Sequence, residues 1–186
     1  MPLIEVIQHE EATGELKEVY DDLIASRGKL AEVHKIQSLN PESITRHMDL
    51  YMTLLYGKSP LKRDLREMIA VVVSKGNECE YCQMHHMEAL DHYWKDRLKS
   101  FNFMNSYKSV ELTDIERAYC DYAYHLTVDP GEDTSKLVDR LKSLGEEDRA
   151  ILDATMIIGY FNFVNRIVSG LKVELEVEGA GGYKFD

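Results

Sequence analysis

The stretch that decides the fold is LKRDLREMIAVVVSKGNECEYCQMHH, residues 61–86. Its first half carries apolar residues three and four positions apart, which is the period of an amphipathic α-helix. The run IAVVV at 69–73 is rich in β-branched residues, but the preceding residues show helical spacing without alternation. Because this run is apolar on nearly every side, we expect it to be buried on most of its surface. Gly76-Asn77 predicts a turn, and CEYCQMHHMEALDHYW predicts a second helix over 79–94.

The same periodicity predicts helices along most of the chain. They are expected, in order, at 15–27, around 31–39, at 42–56, 61–75 and 79–94, and at 113–128, 134–144 and 146–170. Asn40-Pro41 predicts a break and a restart, and Thr113 with Glu116 predicts a capping box. No strand or hairpin pattern stands out, so the sequence predicts an all-α fold. We expect one domain over 1–186, with a motif-bearing core at about 42–100, a C-terminal helical part at about 111–172 and a less ordered tail at 173–186.

The composition restricts the classes of partner. The chain has 22 Lys and Arg against 33 Asp and Glu, a formal charge of −11. Such a chain lacks the clustered cations that bind nucleic acid or an anionic membrane surface, so neither partner is expected. We expect that no stretch approaches the roughly 20 apolar residues that span a bilayer, and that the N-terminus is not a secretory signal. With only three cysteines we expect a cytoplasmic protein, in which a disulfide is catalytic rather than structural.

Cys79 and Cys82 form a CxxC pair at the predicted start of a helix. Unpaired backbone N–H groups and the helix dipole favour an anion there, which promotes the reactive thiolate. Two cysteines at this spacing can also close a disulfide within one helical turn. When each residue advances by about 100°, His86 falls between the two cysteines, whereas His85 falls on the flank. His86 is therefore the candidate for accepting or relaying a proton.

Other interpretations of these residues stay open from the pattern alone. Cys79, Cys82 and His86 can supply three ligands of a zinc ion, although structural zinc usually takes four. Chance placement on a helix is the third interpretation. The remaining cysteine, Cys120, stands among tyrosines and is expected in the core. Glu67 precedes the IAVVV run, where desolvation is expected to raise its pKa toward that of a general base; a solvated surface charge is the alternative.

The spacing Glu67-x11-Cys79-x2-Cys82-x3-His86, with Asn77 and Tyr81 in fitting places, resembles the alkylhydroperoxidase D (AhpD) family of the carboxymuconolactone decarboxylase superfamily. The segment FNFVNRIVSGLKVE at 161–174 resembles the branch usually called peroxidase-related proteins. The resemblance extends from about residue 12 to 175. It implies an AhpD-like helical bundle, a homo-oligomer that is often a trimer or a hexamer, and a peroxidase that works by cysteine without haem or another cofactor.

The resemblance also implies a role for each motif residue. Cys82 would attack the peroxide and become a sulfenic acid, and Cys79 would resolve it as a disulfide. An external dithiol or protein reductant would then restore the thiols. His86 and Glu67 would form the proton relay. Tyr81 stands where the best-known members carry a histidine, which predicts a lower rate.

Three hypotheses about function result. The leading one is a thiol-dependent reductase of alkyl hydroperoxides or hydrogen peroxide. The second is a disulfide oxidoreductase or redox-sensing protein with little peroxide turnover, and the third is a helical oligomer with structural zinc. Superfamily members without the cysteine pair are lactone decarboxylases, and the dithiol argues against that chemistry here.

Overall fold

The computed structural model describes residues 1–176 and 179–182, and its secondary structure is helical. Its helices are α1 (Gly14–Arg27), α2 (Glu32–Lys35), α3 (Pro41–Tyr51), α4 (Arg63–Gly76), α5 (Glu80–Trp94), α6 (Arg97–Asn105), α7 (Asp114–Val128), α8 (Ser135–Ser143) and α9 (Asp148–Gly170). A π-helical turn, Met52–Tyr56, follows α3, and a 3₁₀ turn, Tyr107–Ser109, follows α6. No strand occurs among the described residues, and the all-α prediction is confirmed.

Helix α4 lies at the centre of the bundle and packs against α5, α7 and α9. The IAVVV run is buried on all sides, with Ile69, Ala70 and Val73 fully inaccessible to solvent. Its β-branched side chains are compatible with a helix because packing against three neighbours outweighs a weak intrinsic preference for strands. The central helix therefore fixes where the segments that flank it must lie.

The predicted boundary residues act as helix caps. The Asn40 side chain accepts a hydrogen bond from the Ser43 N–H, and Pro41 occupies the first position of α3. The Thr113 and Glu116 side chains form the predicted capping box of α7. The predicted break and restart at Asn40-Pro41 and the predicted capping box are both confirmed.

The predicted helix 42–56 changes character at its end, where α3 passes into the π-helical turn Met52–Tyr56. The buried guanidinium of Arg66 donates hydrogen bonds to the carbonyls of Leu54, Leu55 and Gly57 in and after this turn. A long side chain from α4 thus satisfies carbonyls that the wider turn leaves unpaired, a contact that no local pattern predicts.

Three elements depart from the predictions. The helix expected around 31–39 forms only the single turn α2, Glu32–Lys35. Helix α6 was not predicted, because its sequence RLKSFNFMN shows no clear apolar face; Leu98 and Phe101 are exposed while Phe103 is buried. Helix α9 is long and apolar enough to cross a membrane by length and composition, so the expectation that no stretch approaches that length is wrong. Since 56% of its apolar window is buried inside the protein, α9 has the environment of a core helix.

The C-terminal segment returns to the surface of α5. Residues 177, 178 and 183–186 of the predicted less ordered tail lie outside the described residues, so that expectation stays a prediction there. Glu176 is within the described part, and it is only 8% exposed. The side chain of Glu176 brings this part of the chain to the site described below, and Lys29 holds the Gly179 and Gly181 carbonyls farther on.

Candidate active site

The cysteine pair lies at the junction between α4 and α5. Cys79 is the N-cap residue of α5, and Cys82 lies in its first turn. Glu78 adopts a left-handed conformation (φ 55°), and the Cys79 N–H donates to the Ser74 carbonyl, which fixes the reversal between the helices. The two sulfurs are 2.7 Å apart and both residues are buried. Because a disulfide requires about 2.05 Å, a small movement joins them.

The two thiols influence each other's ionisation. Their hydrogen bond lowers the pKa of the Cys79 thiol, while the same hydrogen bond and burial raise the pKa of Cys82. The pair therefore releases a first proton more readily than an isolated buried thiol and holds the second one tightly. One negative charge shared by two sulfurs is the state that a thiol-based reaction needs.

Helix α9 supplies polar contacts to both sulfurs that the sequence analysis missed. Hydrogen bonds from Ser169 to Cys79 and from Asn165 to Cys82 lower the pKa of each thiol. The Asn165 amide oxygen accepts a hydrogen bond from the Asn77 side chain at 3.1 Å, which holds that amide in place. Asn165 and Ser169 stand more than 80 positions from the cysteines in the chain, and no spacing rule links them to the cysteine pair.

Glu67 and His86 meet as the sequence analysis expects. Glu67 Oε2 lies 2.6 Å from His86 Nδ1, and its Oε1 lies 2.7 Å from a guanidinium nitrogen of Arg63. The Glu67 side chain is completely buried. Arg63 precedes Glu67 by four residues on α4, a spacing at which helical side chains are neighbours, so the sequence did carry a signal for this cation.

The ionisation expected for Glu67 is wrong in direction. Burial by itself raises the pKa of this carboxyl, but the charges and hydrogen bonds of Arg63 and His86 outweigh burial and lower the pKa below its ordinary value. Glu67 is therefore a fixed carboxylate rather than a base with a raised pKa. Its position suits it to hold one tautomer and one orientation of the His86 ring.

A cavity of about 90 Å³ gives access to one side of this arrangement. Cys82 and His86 line it, whereas Cys79 and Glu67 do not. The remaining walls come from α1, α2, α3, α5 and α9 and from the chain between α1 and α2: Arg27, Ala31, Val33, His34, His47, Met48, Tyr51, Tyr81, His85, Ala89, Tyr160, Phe161 and Val164. Cys82 is thus the sulfur that a small molecule in this cavity can reach.

A second histidine–carboxylate pair borders the same cavity. His85 Nε2 lies 2.8 Å from Glu176 Oε2, and the Tyr81 hydroxyl donates to Glu176 Oε1 at 2.8 Å. The Glu32 backbone N–H also donates to Glu176 Oε1. Burial raises the pKa of Glu176, but His85 and the N–H donors lower it to about 2 overall. The histidine that helical phase placed on the flank is therefore a paired residue, and its carboxylate was not predicted.

The zinc interpretation finds no support in the geometry. Across residues 1–176 and 179–182, no group of three or more His, Cys, Asp or Glu side chains is arranged to hold a metal ion. His86 Nδ1, one of the nitrogens that would bind zinc, is already engaged by Glu67. Cys120 is fully buried, as expected, and burial raises the pKa of its thiol.

Comparison with known proteins places this arrangement in a family context. Residues 41–92, which span α3 to α5 and all four motif residues, match the model of the Carboxymuconolactone decarboxylase family. No curated protein matches the chain.

Solved structures share the fold over nearly the whole chain. An uncharacterized peroxidase-related protein from Silicibacter sp. TM1040 is 27% identical, with a TM-score of 0.83 over 98% of this chain and 93% of that one. An uncharacterized peroxidase-related protein with an alkylhydroperoxidase AhpD core, from Ralstonia eutropha JMP134, is 20% identical, with a TM-score of 0.85 over 95% and 93%. The debrominase Bmp8, solved as a cysteine-to-alanine variant with 2,3,4-tribromopyrrole, is 20% identical, with a TM-score of 0.79 over 94% and 92%.

Proposed function

We propose that this chain, an AhpD-like member of the carboxymuconolactone decarboxylase superfamily, is a cysteine-based peroxidase that reduces small hydroperoxides through a dithiol–disulfide cycle. The family includes enzymes of several kinds, which supports an enzymatic role in general. The observation that carries the specific proposal is the pair of sulfurs 2.7 Å apart, one of which borders a cavity beside a histidine–glutamate pair.

The first step takes place at Cys82 because it borders the cavity that His86 also lines, whereas the pocket that Cys79 borders does not include His86. The resting negative charge lies on Cys79, whose pKa is lowered, and Cys82 holds the proton. Transfer of that proton from Cys82 to Cys79 across the 2.7 Å hydrogen bond makes Cys82 the thiolate when a peroxide arrives. Its thiolate attacks the terminal oxygen of the hydroperoxide, the O–O bond breaks, and the sulfur becomes a sulfenic acid. The departing alkoxide takes a proton and leaves as an alcohol, or as water when the substrate is hydrogen peroxide.

His86 supplies that proton. Its Nδ1 is held by the Glu67 carboxylate, so Nε2 is the ring nitrogen that exchanges a proton with the reacting groups. Glu67 does not touch the substrate and acts as a positioning residue that stabilises the protonated ring. The Phe161 ring packs edge-on to the His86 ring, with 4.4 Å between the two ring centroids. This contact limits the movement of the imidazole.

The second step joins the two cysteines. The Cys79 sulfur attacks the sulfenic sulfur of Cys82, the S–O bond breaks, and the Cys79 thiol proton passes to the departing hydroxide, so that water leaves and a disulfide forms. A small external dithiol, which can enter where a protein cannot, then supplies two electrons and two protons to restore both thiols. No resident cofactor or metal enters this cycle.

The burial of the sulfurs favours a small substrate over a protein partner. Cys79 and Cys82 are 2% and 3% exposed, so a protein disulfide cannot approach Cys82 without opening the helix junction. A disulfide oxidoreductase or redox sensor needs an exposed attacking thiol. The same dithiol can carry out other two-electron reductions, and the debrominase of similar fold makes a brominated aromatic compound an informative alternative substrate.

The decisive experiment measures peroxide consumption with dithiothreitol as the reductant. The wild type is expected to turn over tert-butyl hydroperoxide, and both Cys82→Ser and Cys79→Ser are expected to lose turnover. Cys120→Ser is the matched control, because Cys120 is equally buried but lies outside the site. In Cys79→Ser, limited peroxide is expected to leave a sulfenic acid on Cys82 that dimedone traps for mass spectrometry.

Two outcomes of that experiment contradict the proposal. Full turnover by both single variants shows that the pair is not the redox centre. If the protein reduces 2,3,4-tribromopyrrole but no peroxide, the same residues serve a dehalogenation and the peroxidase assignment is wrong.

We also propose that the chain forms a homo-oligomer. Leu152, Met156 and Phe163 lie along one side of α9, and each is 40% exposed or more. An apolar stripe of this kind on a helix is typical of a surface that a partner covers. A second copy of this chain is the partner that we propose, and the mass of the purified protein in solution tests it.

A further inference from the structure

We propose that the cavity beside Cys82 binds a small organic acid, with its anionic group held by Arg27 and His34. The inference deepens the proposed function, since it names the substrate class of the same site, and it rests on that function only for the fate of the bound molecule. Binding itself does not require the redox cycle. It can therefore be tested in a protein that has no cycle.

Arg27 is a buried cation without a carboxylate partner. The residue ends α1, lines the cavity and is 7% exposed. Its guanidinium donates to the Tyr56 hydroxyl at 2.9 Å and lies over the rings of Tyr56 and Tyr51. In the part of the chain that the structure describes, no Asp or Glu oxygen lies within 4 Å of it, unlike Arg63, which is paired with Glu67. A buried charge without a counter-ion is unfavourable, and an anionic ligand removes that cost.

His34 provides the second, independent observation. The residue is 8% exposed, lines the same cavity, and its buried Nδ1 has no hydrogen-bond partner. Burial and the nearby His47, His85 and Arg27 lower its pKa to about 3, so the ring is neutral at pH 7. A neutral imidazole can donate one hydrogen bond to a carboxylate or accept one from an acid group.

The neighbouring polar groups of the cavity are already occupied. His47 contacts the Gln37 amide through Nδ1 and the Tyr160 hydroxyl through Nε2. The Glu176 carboxylate is bound by His85 and Tyr81, although its charge still acts on His34. Arg27 and His34 are thus the groups that a ligand can still satisfy.

The rest of the cavity suits the apolar part of such a molecule. Met48, Phe161 and Val164 supply apolar wall to the cavity that Arg27, His34 and Cys82 line. A volume of about 90 Å³ restricts the ligand to roughly the size of a short-chain or single-ring acid. A hydroperoxide with an acidic group at one end fits both ends of the cavity, because the anion meets Arg27 and the reactive oxygen meets the sulfur.

The test uses calorimetric titration of the Cys82→Ser protein, which cannot turn over, with benzoate and with benzyl alcohol. The two probes have nearly the same shape and differ in charge. Benzoate is expected to bind at least about tenfold more tightly, the difference expected for one charge-assisted hydrogen bond. Adding Arg27→Gln is expected to abolish this preference, and adding His34→Phe to reduce it. Arg46→Gln, at an exposed arginine, is the matched control.

Equal affinity for the two probes in Cys82→Ser overturns the inference, as does a preference for benzoate that survives Arg27→Gln. If Arg27→Gln fails to fold, the comparison of the two probes and the His34→Phe result decide the matter without it. The proposed function has a separate readout. A wild type that reduces tert-butyl hydroperoxide but shows no preference for benzoate keeps the peroxidase and rejects the acid site, and the reverse result keeps only the acid site.

Discussion

Two adjacent histidines of α5 carry the same kind of partner in very different surroundings. His86 contacts Glu67 at 2.6 Å and His85 contacts Glu176 at 2.8 Å, and both carboxylates are buried. Glu67 lies 19 residues before its histidine on the neighbouring helix, whereas Glu176 lies 91 residues after its own. Because the two pairs share a contact but not its surroundings, a histidine–carboxylate contact does not by itself define a proton relay.

What separates the pairs is the second partner of each carboxylate. Glu67 binds the cation of Arg63 within α4, which keeps it charged and its position fixed. Glu176 binds neutral donors from two other segments, the Tyr81 hydroxyl and the Glu32 N–H. We infer that the first pair positions a proton donor, while the second fastens the C-terminal segment to α2 and α5.

The largest expected difference between the two pairs is in peroxide turnover after each histidine is replaced. His86→Gln is expected to lower peroxide turnover about 100-fold or more, the usual contribution of a general acid or base. His85→Gln is expected to lower it far less, because that ring is committed to Glu176. Initial rates at saturating peroxide and dithiothreitol measure both variants. A larger loss in His85→Gln assigns the relay to the other pair.

The two carboxylates are also expected to differ in how much each contributes to the free energy of unfolding. Glu67→Gln leaves the Arg63 guanidinium without its buried carboxylate and is expected to cost about 3 kcal/mol or more in the free energy of unfolding. Glu176→Gln retains hydrogen-bonding capacity and faces no arginine, so we expect a cost of about 1–2 kcal/mol. Urea unfolding at pH 7 compares the two. Equal costs would mean that the cation at Glu67 contributes nothing.

The smallest effect is a pH dependence of the Glu176 pair. The folded-state pKa of about 2 lies below the ordinary value of 4.5, so ionised Glu176 stabilises the fold above pH 4.5. This contribution is lost progressively as the pH falls from 4.5 toward 2. The stability difference between the wild type and Glu176→Gln is therefore expected to be smaller at pH 3 than at pH 7. A difference that grows on acidification contradicts the lowered pKa.

The local part of the site was predictable because helices α4 and α5 are regular. Once both segments form helices, spacing alone puts His86 on the face shared by Cys79 and Cys82, and the turn at Gly76-Asn77 brings Glu67 alongside. The direction of the Glu67 pKa was not predicted correctly, because burial was considered without the cation four residues earlier. That error was an omission, since Arg63 stands in the sequence at a spacing that makes it a helical neighbour of Glu67.

The distant part of the site was not predictable from spacing. Asn165 and Ser169 reach the sulfurs from α9, and Arg27 and His34 reach the cavity from α1 and α2. Each is an ordinary polar residue in its own segment. No periodicity distinguishes it from its neighbours, and its function depends on which helix packs opposite.

Most of the helices, the capping box and the order of the four motif residues on two consecutive helices were predictable from the sequence alone: Glu67, Cys79, Cys82 and His86. Those features depend on interactions between residues a few positions apart, and such interactions leave a recognisable pattern in the sequence, the amphipathic period or the capping motif. Three features could be seen only in the packed structure. They are the sulfur that shares a cavity with His86, the ionised state of Glu67, and the contact between Glu176 and His85. These depend on burial and on charges brought together across long stretches of chain, and both arise only when the bundle has packed.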